Sequence, residues 1–141
     1  MHVNYFGVFL AALVPVAVGF LWYGPWFGKE WMRLMGWENL SPAALADGKR
    51  KMPMNAAIQI AGAFLLSWVL AHFILFSHGW LGVPNWLAGI VTAFAAWIGF
   101  IVPVTIGTVL WEGKPWKYWF LLAGNWLTSL LLMGLVLGFL I

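Results

Sequence analysis

The charged side chains of this chain are confined to two short stretches of sequence. The seven Lys and Arg residues and the four Asp and Glu residues all lie within Lys29–Lys51 or Glu112–Lys117. The segments 1–28, 52–111 and 118–141 contain none. Because a helix needs about 20 apolar residues to cross the hydrocarbon core of a bilayer, the first and last segments can each hold one span, and the middle segment can hold two.

Four transmembrane helices are therefore predicted, near residues 4–24, 54–76, 86–111 and 118–140. Gly79, Gly82 and Pro84 interrupt the long middle segment and predict the turn between its two spans. With 64% hydrophobic and 8% charged residues, the chain is too apolar for a water-soluble domain of this size. The sequence predicts an all-α, four-helix transmembrane bundle, a single integral membrane domain over residues 1–141. We expect the lipid bilayer as its partner and, without a basic domain, no nucleic acid.

The positions of the positive charges predict the orientation of the bundle. The two charged stretches are separated by two spans and so share one side, and Lys and Arg favour the cytoplasmic side of a membrane. We therefore expect both termini outside and loops 27–53 and 112–117 in the cytosol. The start of the chain lacks the features of a cleaved signal peptide, so the first span is expected to stay in the mature protein.

The first loop carries two helix signals. Apolar residues share one face of Lys29–Met35, with charged residues opposite, which predicts a short helix lying along the membrane surface. Ser41-Pro42 supplies a helix cap and first-turn proline for a brief second helix that ends near Gly48.

Small residues and prolines at corresponding positions indicate an internal repeat. Residues four apart form one stripe on a helix, and two such stripes occur in spans one and three. The stripes are Gly7, Ala11, Pro15 and Gly19, and Ala95, Gly99, Pro103 and Gly107. We infer that the bundle is built from two parallel hairpin repeats, residues 1–76 and 86–141, folded face to face about a pseudo-twofold axis along the membrane normal.

Three motifs carry a resemblance to a known family. They are the Trp22–Pro25 turn, the aromatic run Phe27–Met32 and the segment Trp111–Trp116 that follows Pro103. Together they resemble a bacterial family of small four-span integral membrane proteins known only as a domain of unknown function. The resemblance covers nearly the whole chain and implies the four-span fold and a bacterial inner (cytoplasmic) membrane. It implies no activity and no functional residues.

The absence of charge from the spans excludes several kinds of chemistry. Proton-coupled antiport by small four-helix transporters needs a membrane carboxylate, and a retinal Schiff base needs an intramembrane lysine; the predicted spans contain neither. Paired carboxylates, a Ser-His-Asp set and a phosphate-binding glycine loop are not evident. Without cysteine there is no thiolate ligand. We therefore expect no enzyme activity and no cofactor.

The first functional hypothesis is a structural or accessory module that works by helix packing. Gly134-x-x-x-Gly138 permits close helix approach and predicts either an internal contact or a dimer face. A homo-oligomer or a larger membrane complex is expected. Aromatic residues near the cytosolic boundary predict an anchoring belt. They are Trp22, Tyr23, Trp26, Trp31, Trp37, Trp111, Trp116, Tyr118 and Trp119.

The alternative is a small transporter or a protein that binds lipid or a small solute. Pro15 and Pro103 each remove a helical hydrogen bond near mid-span, and interrupted helices at corresponding repeat positions are typical of transporter sites. Gln59 and Asn125 lie at similar depth in spans two and four and predict a neutral polar cluster. The candidate ligand-binding residues are Pro15, Gln59, Gly99, Pro103, Thr105, Thr108 and Asn125.

A third hypothesis is a metal or haem site formed by the histidines. His2, His72 and His78 all map to the outer side, and imidazole is a common metal ligand. Two arguments weigh against this site. His72 and His78 do not share a helical face, and no carboxylate lies on that side to orient the rings.

Overall fold

The computed structural model describes residues 2–141, which form helices joined by short loops. In chain order these are α1 (Tyr5–Trp26), α2 (Gly28–Leu34), α3 (Pro42–Leu81), α4 (Asn85–Leu110) and α5 (Trp116–Leu140). All but α2 are long and apolar enough to cross a membrane. The predicted all-α fold with four candidate spans is confirmed.

The four long helices form a ring in sequence order, in which α5 closes the bundle against α1 and α4. The hydrophobic core lies towards the end of the bundle that carries both chain termini. Its most buried large side chains are Leu70, Ile74, Leu130, Met133 and Leu137. We call this end the terminal half (residues 4–14, 63–96 and 126–141), and the other end the charged half (residues 15–62 and 97–125).

Two asparagine side chains connect the ends of the helices in the terminal half. The last carbonyls of a helix have no partner within the helix, and here Asn4 Nδ2 donates to the carbonyl of Leu140 at 2.8 Å while Asn85 Nδ2 donates to that of Ile141 at 2.9 Å. Asn4 also caps α1, because its Oδ1 accepts hydrogen bonds from first-turn backbone amides. The starts of α1 and α4 are thus tied to the end of α5.

An ion pair joins the two charged stretches at the opposite end. Lys117 Nζ at the start of α5 lies 2.9 Å from Glu30 Oε1 on α2. The two stretches therefore lie at the same end of the bundle, as expected from the sequence. That this end faces the cytosol remains a prediction.

The prediction of a brief helix ending near Gly48, separate from span two, is wrong. Pro42–Leu81 is one helix of 40 residues. At about 1.5 Å per residue it is about 60 Å long, roughly twice the thickness of the hydrocarbon core. Its first turns therefore project beyond the other spans.

Local interactions explain why this projecting segment remains helical. The Ser41 hydroxyl accepts a hydrogen bond from the Ala44 amide at 3.2 Å, as a helix cap does. Asp47 pairs with Arg50 at 2.6 Å and with Lys51 at 2.8 Å on the next turn. Pro53 leaves one carbonyl without its helical partner, but this stretch is exposed, so water can solvate that carbonyl.

The prolines of α1 and α4 have different surroundings. Pro15 lies within a regular α-helical segment, Tyr5–Leu21. Pro103 follows a π-helical turn, Trp97–Ile101, which is a common way for a helix to absorb an irregularity. The other π-helical turn is Trp22–Trp26, near the end of α1. The irregular turns therefore do not occupy corresponding positions in the two halves of the sequence.

The two predicted stripes of small residues also face different surroundings. Gly7 and Ala11 are buried against the bundle, whereas Gly99 and Pro103 are exposed on the outside of α4. The stripes therefore do not face each other. The organisation into two hairpin repeats remains a prediction.

The closest helix contact is a glycine seam between α4 and α5. A Cβ atom on Gly89 would collide with the backbone carbonyl of Gly134, and one on Gly138 would lie 2.7 Å from the carbonyl oxygen of Asn85. The Gly134-x-x-x-Gly138 motif is therefore an internal contact, which decides between the two alternatives left open by the sequence. Its partner on α4 is Gly89-x-x-x-Ala93, a pair of small residues that the sequence analysis did not single out.

Candidate functional site

A cavity of about 520 Å³ lies mainly in the charged half, between α3 and the pair formed by α1 and α5. Every residue from 51 to 62 on α3 is exposed, whereas burial of α3 begins at Ala63. The helix therefore packs on the bundle only in the terminal half, and the space beside its charged half forms the cavity. The polar and aromatic lining residues are Tyr23, Trp31, Gln59, Tyr118, Asn125 and Trp126.

Small side chains create the space. Gly19 on α1 and Ala56 on α3 both line the cavity, and a Cβ atom added to Gly19 would meet no atom within 4 Å. The remaining walls are mainly apolar, with Val16, Ile60 and Leu122 among them. The volume falls within the range of about 300–1,000 Å³ that is usual for small-molecule sites.

Two amides give the cavity a polar centre. Gln59 lies eight residues beyond Lys51, and Asn125 eight residues beyond Lys117, so both lie about 12 Å along their helices from the nearest charge. Asn125 is 7% exposed, and its Oδ1 has no hydrogen-bond partner among the described residues. This oxygen has less than 1 Å² of accessible surface, so it lies against protein atoms and does not face the cavity. The Tyr23 side chain lies beside the Asn125 amide.

Stacked aromatic rings form the wall of the cavity nearest the charged end. The Trp31 ring, on α2, lies 4.5 Å from that of Tyr23 and 5.3 Å from that of Tyr118, centroid to centroid. The contact with Tyr118 is nearly parallel, at 20°. Nearby, Trp22 Nε1 donates to the carbonyl of Leu121 at 3.0 Å. The short helix α2 is thereby held against α1 and α5.

The ion cluster beside Trp31 holds α2 in the same place. Glu30 accepts from Arg33 on its own helix at 2.6 Å and pairs with Lys117 on α5 at 2.9 Å. The hydrogen bonds from Arg33 and Lys117 lower the pKa of the Glu30 carboxyl. The same carboxylate raises the pKa of Arg33, chiefly through its hydrogen bond. The cluster therefore remains ionised over the physiological pH range.

The structure brings together three of the seven candidate ligand-binding residues. Pro15, Gln59 and Asn125 all line the cavity, whereas Gly99, Pro103, Thr105 and Thr108 do not. Gly99 and Pro103 lie on the outside of α4.

The two threonines use their hydroxyls within the protein. Thr105 Oγ1 donates to the carbonyl of Ile101 at 2.6 Å and accepts from Trp119 Nε1 at 3.0 Å. Thr108 Oγ1 donates to the carbonyl of Thr105 at 2.8 Å. These bonds stabilise the irregular end of α4 and leave neither hydroxyl in the cavity.

The histidines lie in separate surroundings. His72 Nδ1 is 2.7 Å from the carbonyl oxygen of Trp68, and His78 Nδ1 is 2.7 Å from that of Val83. His2 is exposed near the N-terminus. Within residues 2–141, no group of three or more His, Asp or Glu side chains is placed to hold a metal ion.

The lining residues define what the cavity can do. None is an Asp, Glu, Lys, Arg or His, so the cavity contains no side chain that exchanges protons near neutral pH. Apolar walls with a few converging polar groups are typical of binding sites. The arrangement is suited to holding a neutral molecule.

The aromatic wall was the part of this site that the sequence analysis did not assign. Tyr23, Trp31 and Tyr118 were interpreted as members of the anchoring belt, and Trp126 was not assigned a role. Fully exposed positions such as Trp111, at 87%, fit a belt, but Trp31 is partly buried between two rings. The signal in the sequence was the amphipathic face of α2, which needs an apolar surface to pack against.

Comparison with known proteins identifies the family. The sequence profile of the family described as "Protein of unknown function (DUF1761)" matches residues 6–138. No curated protein and no solved structure matches the chain. The match covers nearly all of the four candidate spans and the residues of the cavity, and it confirms the predicted membership of a family of unknown function. The chain therefore belongs to the DUF1761 family of proteins of unknown function.

Proposed function

We propose that the protein is a non-enzymatic membrane protein that binds a small molecule in the cavity between α1, α3 and α5. The observation that carries this proposal is the cavity of about 520 Å³, which has mainly apolar walls and includes the amide of Asn125 in its lining. Gln59 adds a second amide on the opposite helix. A ligand with a polar group would hydrogen-bond to the Gln59 amide, which is exposed.

The observations favour binding over the structural or accessory role that headed the sequence-based hypotheses. In a protein that acts only through helix packing, side chains would be expected to fill the centre of the bundle along its whole length. Here small residues such as Gly19 and Ala56 line a cavity of about 520 Å³ in the charged half, larger than the cavity of about 350 Å³ between α3 and α4, mainly in the terminal half. Transport of the bound molecule would need a second conformation that is open to the outside. In that conformation the closely packed helices of the terminal half would have to separate.

Association with a second copy or a larger membrane complex is the second candidate. The observation in its favour is the outer face of α4, where Gly99 has no atom within 4 Å of an added Cβ and Phe100 and Val104 are 64% and 75% exposed. Small residues on an exposed helix face permit close packing with another helix. We place the protein in the bacterial inner membrane with both termini outside, because positive residues stay cytoplasmic.

Native mass spectrometry from a mild detergent tests the binding proposal and the oligomer together. The wild-type protein should retain a small molecule at one per chain. Gly19→Leu should lose it, because the new side chain occupies the cavity. Gly62→Leu is the matched control, since Gly62 also has no atom within 4 Å of an added Cβ and does not line the cavity.

Two results would contradict the binding proposal. One is a wild-type protein that carries no small molecule from any mild detergent or added membrane lipid. The other is a retained molecule whose occupancy is equal in Gly19→Leu and Gly62→Leu. In the same spectra, a monomer under all conditions would contradict self-association.

A further inference from the structure

Resting on the proposed function, we infer the chemical class of the ligand: an anionic phospholipid with one acyl chain in the cavity and its phosphate between Lys49 and Lys114. Three features lead to this class. They are the length and lining of the cavity, its opening on the flank of the bundle, and two lysines without ion-pair partners at its charged end. The first two features admit a lipid chain, and the third selects the headgroup.

The cavity is long enough and apolar enough to hold part of an acyl chain. Its lining runs from Pro15 to Tyr23 on α1 and from Tyr118 to Trp126 on α5. Eight residues of helix span about 12 Å, so the cavity follows these helices from the charged end towards the middle of the bundle. No lining residue is charged. The neutral chain therefore fits inside, whereas a phosphate must stay outside, where it keeps its hydration.

The cavity opens on the flank of the bundle, where a lipid can enter. Val16 and Ile60 line the cavity and are still 39% and 40% exposed. In a membrane this flank faces hydrocarbon, because the segments 1–28 and 52–111 carry no charge. A chain that moves from the bilayer into the cavity gains little hydrophobic free energy, since both surroundings are apolar. Selection among lipids therefore depends on the headgroup.

Lys114 provides a cation beside the wall of the cavity. Its Nζ lies 5.4 Å from the centre of the Tyr118 ring, which lines the cavity and stacks on Trp31. Lys117 is paired with Glu30, whereas Lys114 takes part in no ion pair within residues 2–141. The ammonium group of Lys114 can therefore pair with an anion of the ligand.

Lys49 provides a second cation, on the wall formed by α3. Two turns of helix are about seven residues, so Lys49 and Ala56 lie on one face of α3, about 10 Å apart along its axis. Ala56 lines the cavity, which places Lys49 on the same side of α3 and nearer the charged end. The carboxylate of Asp47 pairs with Arg50 and Lys51. In the part of the chain that the structure describes, Lys49 forms no ion pair.

An anionic phosphate is the headgroup that these two cations favour. Lysines next to a membrane surface attract anionic lipids, and a lysine ammonium binds phosphate as a point charge. A zwitterionic headgroup carries a cation of its own, which offsets this attraction. An uncharged headgroup offers the lysines no counter-charge. A phospholipid with a net negative charge therefore satisfies the lysines and the cavity together.

The test compares lipids that share their chains and differ in the headgroup. Purified protein in an uncharged maltoside detergent is titrated with dioleoyl phosphatidylglycerol, and the bound fraction is measured by native mass spectrometry. Dioleoyl phosphatidylcholine supplies a zwitterionic headgroup, and glycerol phosphate supplies the anion without chains. One phosphatidylglycerol should bind per chain at least about tenfold more tightly than phosphatidylcholine, a difference of about 1.4 kcal/mol. Glycerol phosphate should not displace it.

Charge variants link this preference to the two lysines. Lys49→Gln/Lys114→Gln should weaken phosphatidylglycerol binding about tenfold and leave phosphatidylcholine binding unchanged, so that the preference disappears. Arg50→Gln/Lys51→Gln is the matched control, because it removes the same charge from positions that pair with Asp47. The control should keep the preference.

A cavity variant links the chain to the cavity. Gly19→Leu should weaken the binding of both lipids about tenfold, because the new side chain takes the place of the acyl chain. Gly62→Leu should weaken neither, since Gly62 does not line the cavity.

The outcomes separate this inference from the proposed function. Equal affinity for the two lipids, or a preference that Lys49→Gln/Lys114→Gln keeps, would overturn the anionic headgroup. Unchanged phosphatidylglycerol binding in Gly19→Leu would overturn the position of the chain, and displacement by glycerol phosphate would overturn the lipid class. If the two lipids behave alike while the wild-type protein retains a molecule that Gly19→Leu removes, the inferred class is wrong and the binding function stands. If neither lipid binds and no molecule is retained, the proposed function itself fails.

Discussion

The terminal and charged halves of the bundle use the same four helices and are packed differently. In the terminal half α4 and α5 touch through Gly89 and Gly134, and Ile74 is fully buried. In the charged half the corresponding part of α3 is exposed, and a cavity separates it from α1 and α5. No charged residue belongs to the core of the terminal half or lines the cavity of the charged half. The difference between the halves therefore arises from packing and from the placement of small residues.

Small residues have opposite effects in the two halves. At Gly89 the missing side chain lets two backbones meet, and van der Waals packing is a main source of helix association in a membrane. At Gly19 the missing side chain leaves a space that no neighbour fills. The comparison teaches that a glycine stripe read from sequence marks either a contact or a cavity, and only the partner helix decides which.

The largest expected effect comes from filling the glycine seam. Gly89→Ala should lower the free energy of unfolding by about 3 kcal/mol, because the new Cβ atom collides with backbone rather than with a flexible side chain. Thermal unfolding in detergent, followed by circular dichroism, measures it. Gly99→Ala is the control, since no atom lies within 4 Å of its added Cβ. Equal stability of the two variants would show that the terminal half is not closely packed.

A smaller loss of stability is expected when the hydrogen bonds that connect the helix ends are removed. Asn4→Ala removes the cap of α1 and the hydrogen bond to the Leu140 carbonyl, with an expected loss of about 2 kcal/mol. The same unfolding assay applies. Asn55→Ala, at an exposed position on α3, should cause no loss. If Asn4→Ala were as stable as the wild-type protein, these hydrogen bonds would not be needed for the stability of the terminal half.

The smallest expected effect concerns the attachment of α2 to the charged half. The lowered pKa of Glu30 means that its ion pairs stabilise the folded state above the ordinary carboxyl pKa. This contribution is lost as the pH falls through the lowered pKa of the folded protein. A nitroxide spin label on Leu34→Cys should therefore become more mobile only as the pH falls below the ordinary carboxyl pKa.

Two further variants check this interpretation of α2. Glu30→Gln should make the label mobile at every pH, whereas Glu38→Gln should leave its pH response unchanged. If the Glu30→Gln protein kept the pH response, the ion cluster would not be what holds α2 against α5.

The spans were predictable because charge and length act locally. A segment such as 118–141 has no charge and the right length for one span, whatever it packs against. The common depth of Gln59 and Asn125 was predictable for a similar reason, because both could be counted from the charged ends. Their place beside one cavity follows from that depth and from the neighbouring positions of α3 and α5.

Features that depend on a partner helix were not predictable. The stripe containing Gly99 and Pro103 matches that of α1 in sequence, yet it faces outwards because α4 packs through Gly89 instead. The length of α3 was missed because Gly48 and Pro53 normally interrupt helices. Here the Ser41 cap and the ion pairs of Asp47 stabilise the projecting turns.

Thiol labelling tests the contrast between the two halves most directly. The natural chain has no cysteine, so Gln59→Cys and Ser129→Cys each place a single thiol, one at the cavity and one in the fully buried core of the terminal half. In detergent, N-ethylmaleimide should modify Gln59→Cys readily and leave Ser129→Cys unmodified until the protein unfolds. Equal rates at the two positions, or an unreactive Gln59→Cys, would contradict an open charged half and a closed terminal half.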